Sequence, residues 1–157
     1  MTIHAGCLVA FYTGVGPFEV ALCLGLFWIR LFAINADYHR YFSHKAFKTS
    51  RAYQFLLALL ACAAGQKGPL RWAAGHRPHH RYWDREGDLH SPRKGFWWAR
   101  QSWIFSEKFE LAEIDRIRGF ATYPERLWLN RWHVSVPLGL AATCTTVDGL
   151  AGLVWSF

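Results

Sequence analysis

HRYFSH at residues 39–44 and HRPHH at residues 76–80 are two short histidine clusters that together hold five of the chain's eight histidines. Neutral imidazole is the most frequent protein ligand for iron, copper and zinc. Both clusters lie in a chain that is otherwise rich in Trp, Phe and Leu, and they border long apolar stretches. The two clusters therefore predict a metal site at a membrane surface.

Charge is concentrated in the middle of the 157-residue chain, between two apolar ends. Of the 18 Lys and Arg residues, 17 lie within residues 40–131, whereas residues 134–157 contain only Asp148 as a charged residue. A basic segment next to membrane spans follows the positive-inside rule, which predicts that residues 37–131 form a cytosolic histidine-rich region. Nucleic-acid-binding domains seldom carry long uncharged apolar flanks, so the expected partner is membrane lipid and not nucleic acid.

Apolar length predicts an all-α integral membrane protein built from helical hairpins. Residues 1–36 are interpreted as one hairpin, because residues 18–36 offer about 19 mostly apolar residues, close to the roughly 20 that cross a hydrocarbon core. Residues 127–157 are interpreted as a second, incomplete hairpin with a turn at Asp148. The alternative, a single span over residues 134–157, would place Asp148 in hydrocarbon at a cost of about 2.5–3.5 kcal/mol.

Between the hairpins the sequence predicts shorter helices and loops. Ser50 can cap a helix over residues 51–64, where apolar residues recur at helical spacing. Residues 84–95 indicate a loop, residues 107–118 an amphipathic helix, and Pro124 the start of another helix. The helix over residues 51–64 is interpreted as buried or interfacial, whereas the apolar run over residues 127–146 of the helix that Pro124 starts could reach across the membrane.

The second histidine cluster predicts two metals. Pro78 is tolerated only in the first turn of a helix, which predicts a helix start near Gly75. At 100° per residue, His79 and His80 diverge by about 100°, with His76 between them. The trio would then straddle two directions, as two neighbouring metals require.

The first cluster and the remaining histidines leave alternatives open. His39 and His44 would lie about 140° apart on an α-helix, so that either the helix ends between them or each binds a different metal. His90 is either a further ligand or part of a turn. His133 is interpreted as an interfacial residue, and His4 as incidental.

These residues carry a resemblance that extends over most of the chain. Its segments are HRYFSH (39–44), KTSR (48–51), QKGPL (66–70), HRPHH (76–80), Asp84, DLHSP (88–92), GFWW (95–98), YP (123–124) and LNRWH (129–133). Together they resemble the membrane fatty-acyl desaturases, especially the bacterial acyl-CoA Δ9 type that is similar to stearoyl-CoA desaturase.

The resemblance implies an enzyme with four spanning helices and a cytosolic histidine cap that holds two non-haem irons. Such an enzyme uses dioxygen to introduce a cis double bond into a saturated acyl-CoA or acyl-lipid, with electrons from a cytochrome b5-like or ferredoxin-like donor. The implied iron ligands are His39, His44, His76, His79 and His80, with no catalytic side chain besides these ligands. Gln66 and Trp72 fall where the family lines its acyl channel.

The resemblance also implies that the chain is a partial desaturase domain. The family's third histidine box would lie beyond Phe157, so five imidazoles are expected to be too few for two irons, and this chain is expected to be inactive by itself. Two other interpretations remain: a histidine-box hydroxylase or monooxygenase with similar iron chemistry, and an inactive membrane remnant. The match at residues 66–70 and 84–92 argues against the hydroxylase.

Overall fold

The computed structural model describes residues 6–106 and 122–157, in which all regular structure is helical, as predicted. The amphipathic helix predicted over residues 107–118, and His4, lie outside the described residues. The helices are α1 (Ala10–Thr13), α2 (Pro17–Ala33), a π-helix (Ile34–Ser43), α3 (Arg51–Cys62), α4 (Pro69–Tyr82), α5 (Phe96–Arg100), α6 (Pro124–Arg131) and α7 (Ser135–Ser156). Short 3₁₀ turns cover Cys7–Val9, Pro92–Lys94 and Ser102–Phe105.

The first long helical segment begins at a glycine–proline pair, Gly16-Pro17. Pro17 occupies the first helical position of α2, and the Gly16 amide donates to the Glu19 carboxylate at 2.7 Å. The segment does not end near residue 36, because α2 continues directly into the π-helix up to Ser43. Within the described residues, Pro17–Ser43 and Ser135–Ser156 are the two helical segments long and apolar enough to cross a membrane.

The helix α3 begins where its cap was predicted, whereas the start predicted for α4 is wrong. The Ser50 hydroxyl accepts a hydrogen bond from the Tyr53 amide at 3.2 Å, which satisfies one free donor of the first turn of α3. The helix α4 begins at Pro69, not near Gly75, so that Pro78 lies inside it. Proline at that position removes a helical hydrogen bond and costs about 3 kcal/mol in an isolated helix, so tertiary contacts must offset this cost.

The core lies among the π-helix, α3, α4 and α6, which pack against one another and which we call the histidine core. Its buried side chains are Ala33, Tyr38, Tyr41, Phe42, Ala58, Ala61, Cys62, Leu70, Trp72, Ala73, Ala74 and Leu129. Small residues on α3 and α4 allow the helices to approach closely. Burial of one large apolar side chain stabilises such a core by about 1.5–3 kcal/mol.

A close backbone contact joins the start of α4 to the end of α6. A Cβ atom added to Gly68 would lie 2.4 Å from Asn130 Oδ1 and 2.6 Å from Asn130 Cα, so only glycine fits there. The same Asn130 Oδ1 accepts a hydrogen bond from the Arg71 amide at 3.0 Å, which satisfies a free donor in the first turn of α4. This contact fixes the direction in which α4 carries its histidines.

The last helix is interrupted at the predicted turn. Asp148 and Gly149 have non-helical backbone angles, with φ of 54° at Gly149. A Cβ added to Gly152 would lie 2.2 Å from the Cys144 carbonyl oxygen, which shows that the chain folds back after the turn. The returning end packs against α2, where Arg30 donates to the Ser156 carbonyl.

Candidate metal centre

The π-helix brings His39 and His44 together. In a π-helix the amide bonds the carbonyl five residues earlier, and the His44 amide donates to the His39 carbonyl at 3.2 Å in this way. Residues five apart therefore share a face, and the two imidazole ring centroids are 4.7 Å apart. The divergence of 140° expected from an α-helix is wrong for this reason, although the helix does end at Ser43, just before the second histidine.

The second cluster lies in the last two turns of α4, which is tied to the first cluster through Arg77. The Arg77 guanidinium donates to the Phe42 carbonyl at 2.7 Å and to the Ser43 carbonyl at 3.2 Å. These bonds hold the end of the π-helix against α4 at the turn that contains Pro78, and they help to offset the hydrogen bond that this proline lacks. Both clusters consequently face one space.

Four imidazoles form the first ligand group: His39, His44, His76 and His80. One ligand nitrogen from each lies within 4.8 Å of those of the others. His76 Nε2 and His80 Nε2 are 2.9 Å apart. Two imidazole nitrogens bound at right angles to one metal at about 2.1 Å would lie roughly 3 Å apart, so this donor set fits a metal ion.

His79 does not belong to the first ligand group. It forms a second ligand group with two residues of the following loop, Asp88 and His90. Their ligand atoms also lie within 4.8 Å of one another. The His79 and His90 rings stack at 3.7 Å, and the buried His90 Nε2 has no hydrogen-bond partner among the described residues. The three histidines of α4 thus belong to two groups: His76 and His80 to the first, and His79 to the second. His90 lies beside His79 and is part of the site.

Burial keeps these imidazoles in the form that binds metals. Burial, followed by the neighbouring imidazoles of His80 and His39, lowers the pKa of His76 to about 3. Burial and the nearby His44 likewise lower the pKa of His80, and burial and His79 lower that of His90. Neutral imidazole has a free lone pair, so these side chains are ready to ligate a cation near neutral pH.

Trp72 and Gln66 connect the first ligand group to an apolar cavity. The Trp72 ring stacks on His76 at 4.1 Å, and its Nε1 donates to Gln66 Oε1 at 3.2 Å. Gln66 in turn lines a cavity of about 290 Å³ between α2 and the end of the chain. The cavity is lined by Cys23, Phe27, Arg30, Leu31, Ile34, Gln66, Trp155, Ser156 and Phe157.

The sequence interpretation missed one residue of the site, Asp88, and left His90 open. Asp88 is fully buried, and its Oδ1 lies 2.9 Å from His79 Nδ1. An aspartate two residues before a histidine, in the loop after the second cluster, was a signal that could have indicated both. His133 contacts the Asn130 carbonyl at 3.1 Å and belongs to neither ligand group.

Comparison with known proteins identifies relatives of one chemical class, although no family model matches the chain. The chain is 29% identical over 156 residues to the sn-1 stearoyl-lipid 9-desaturase of Anabaena variabilis, covering 98% of this chain and 57% of the relative. It is 31% identical over 150 residues to the palmitoyl-monogalactosyldiacylglycerol delta-7 desaturase, chloroplastic, of Arabidopsis thaliana, covering 90% and 40%. It is 32% identical over 129 residues to the Delta-9 acyl-lipid desaturase 2 of the same plant, covering 78% and 41%. The chain thus spans about half the length of these curated relatives.

Proposed function

We propose that this chain, a homologue of the membrane fatty-acid desaturases, contributes an iron-binding part of an enzyme that introduces a cis double bond into a saturated acyl chain. The observation that carries the proposal is the division of the clustered histidines into two adjacent ligand groups. Two adjacent ligand groups, the first of which is connected through Trp72 and Gln66 to an apolar cavity, suit a dinuclear site that acts on a hydrocarbon.

The donors would be shared unequally between two irons. His39, His44, His76 and His80 would hold one iron, and His79 would face the other. When bound, the irons would supply the activation of dioxygen that removes two hydrogens from an unactivated acyl chain. Iron prefers five or six ligands, so the second iron needs more donors than residues 6–106 and 122–157 supply there.

The chain's own residues would orient the substrate and shield the site. The apolar cavity beside α2 would accept part of an acyl chain, and Gln66 would mark its polar end. Trp72 would hold the His76 ring by stacking, so that His76 keeps its orientation when the acyl chain passes. The substrate would be an acyl-lipid or acyl-CoA, with electrons from a cytochrome b5-like or ferredoxin-like donor, and the basic surface of residues 40–131 would place the histidines on the cytosolic side.

Iron content of the membrane-purified chain tests the metal part of the proposal. We expect bound iron in the parent chain, loss of most of it in His76→Ala, and retention in His133→Ala, since His133 lies outside both ligand groups. Equal iron in all three proteins, or none in the parent, would contradict the proposal. A histidine-box hydroxylase would also bind iron, so the products must separate the two activities.

Acyl-chain analysis in a desaturase-deficient host tests the reaction. We expect no monounsaturated acyl chains from the chain alone, because residues 6–106 and 122–157 supply too few donors for the second iron, and we expect them from a longer polypeptide that supplies further histidine donors. Hydroxylated acyl chains from that longer polypeptide would overturn desaturation in favour of hydroxylation. Monounsaturated lipid from the chain alone, dependent on His76, would show that the donors present suffice.

A further inference from the structure

Asp88 is the organising residue of the loop between α4 and the 3₁₀ turn at Pro92–Lys94. Its carboxylate is fully buried and accepts hydrogen bonds from the His90 amide at 3.1 Å and the Asp84 amide at 3.1 Å, and its Oδ1 lies 2.9 Å from His79 Nδ1. Its own carbonyl accepts a hydrogen bond from Lys94 Nζ at 2.6 Å. Two backbone donors on opposite sides hold the carboxylate in one orientation.

The hydrogen bonds of this carboxylate decide which nitrogen of His79 carries the proton. Its Oδ1 accepts from the His90 amide and its Oδ2 from the Asp84 amide, so both oxygens act as acceptors, as in an ionised carboxylate. An ionised carboxylate only accepts hydrogen bonds, so His79 Nδ1 must be the donor. In this tautomer the lone pair of His79 lies on Nε2.

The remaining neighbours of the His79 ring are other imidazoles. The His79 ring centroid is 5.6 Å from that of His76 and 5.4 Å from that of His80. On its other side the ring stacks on His90, which in turn stacks on Trp103 at 4.6 Å. Among the described residues no hydrogen bond reaches His79 Nε2.

We infer that Asp88 is a positioning residue that fixes the Nδ1–H tautomer and the ring orientation of His79, so that Nε2 is the metal-binding atom. The loop around Asp88 thereby controls the affinity of one of the two metals. A hydrogen-bonded carboxylate behind a ligating histidine has this effect in metal sites generally. The tautomer stands on the geometry alone, whereas the effect on affinity rests on the proposed function.

Imidazole ¹⁵N NMR of the metal-free full chain in lipid nanodiscs tests the tautomer. With His79→Gln to assign the signal, we expect protonated Nδ1 and unprotonated Nε2 at His79 in the parent chain. Asp88→Ala should shift the signal toward the Nε2–H form. Asp88→Asn should largely keep the parent signal, because the amide oxygen still accepts from Nδ1–H. An Nε2–H signal in the parent, or a parent-like signal in Asp88→Ala, would overturn the inference.

Glu86→Gln is the matched control for these variants. It removes one carboxylate from the same loop, but Glu86 is exposed and contributes to neither ligand group. We expect its His79 signal to equal that of the parent. A change as large as that of Asp88→Ala would mean that loop charge in general, and not the Asp88 bond, sets the tautomer.

Titration with Co²⁺, followed by its visible absorption, tests the effect on the metal. We expect Asp88→Ala to weaken one of two binding steps by about 10- to 100-fold, with the other step unchanged, and Asp88→Asn to weaken it less than tenfold. Equal losses in Asp88→Asn and Asp88→Ala would overturn the positioning role and show that Asp88 binds the metal directly. Absence of Co²⁺ binding by the parent would contradict the proposed function, and the NMR result would still decide the tautomer.

Discussion

The histidine core and the apolar helices α2 and α7 are stabilised in different ways. In the histidine core the large side chains Phe42, Leu70 and Leu129 are fully buried, whereas Leu24 and Trp28 on α2 remain 53% and 62% exposed. An uncovered apolar helix face of this size is suited to contact with lipid. The histidine core therefore stabilises itself by burial, while α2 and α7 depend on the medium around them.

The largest expected effect is the difference in stability lost on substitution of two leucines, one buried in the histidine core and one exposed on α2. Leu70→Ala removes a fully buried side chain from the histidine core and should lower the free energy of unfolding by about 2–5 kcal/mol. Leu24→Ala on the exposed face of α2 should change it by about 0.5 kcal/mol or less in detergent. Denaturant unfolding followed by tryptophan fluorescence measures both, and equal losses would contradict separate modes of stabilisation.

Metal binding should stabilise the histidine core and not the apolar helices. At a Co²⁺ concentration of 100 times the dissociation constant, one bound ion should add about 2.7 kcal/mol. Chelation with EDTA should remove this gain, and His80→Ala should abolish it, while Leu24→Ala should retain it. Thermal unfolding with and without metal measures the gain, and a persistent gain in His80→Ala would argue for binding elsewhere.

Alanine substitutions at two glycines compare how tightly the backbone is packed in the histidine core and on α7. Gly68→Ala would force a methyl group into the Asn130 backbone and should cost about 1–3 kcal/mol. Gly139→Ala on α7 has no atom within 4 Å of its added Cβ and should be neutral or slightly stabilising. Circular dichroism melting curves of the two variants provide the comparison, and a stable Gly68→Ala protein would show that α6 can move away from α4.

The smallest effect concerns an exposed ion pair at the edge of the histidine core. Arg51 donates to both Glu125 oxygens at 2.7 Å, and this hydrogen bonding lowers the pKa of Glu125 from 4.5 to about 2. Since the folded pKa is lowered, the contribution to stability is present above pH 4.5 and is lost as the pH falls through 2. Glu125→Gln should remove this small pH-dependent term and its salt sensitivity, as measured by melting temperature between pH 2 and 6. A parent-like profile in the variant would assign the pH dependence to other groups.

The sequence was sufficient for features that depend on local chemistry. The Ser50 cap, the helix start at Pro124 and the turn at Asp148 could be predicted because each depends on one residue and its neighbours. The start of α4 could not, since the cost of an internal Pro78 is offset by tertiary contacts, such as the bonds of Arg77 to the end of the π-helix. The π-helix that brings His39 and His44 onto one face was not predicted for a related reason: a π-helix has no simple sequence signature.

The contacts of Asp88 and His90 with His79 were not predicted for a third reason. Their contact with His79 arises from the path of a loop, which hydrophobic periodicity does not describe. The clustering of the histidines alone was enough to predict that the two clusters form one site. Each cluster lies at the end of a helix of the histidine core.

The π-helix at the first cluster also limits how this sequence can change over evolutionary time. An α-helix places residues three or four apart on one face, whereas a π-helix does so for residues five apart. A single-residue deletion between His39 and His44 would therefore preserve the histidine pair only if the backbone tightened to an α-helix in the same step. The number of residues between His39 and His44 and the π-helical form of the backbone must therefore be kept together. Insertions and deletions between these two histidines should be rare among functional descendants.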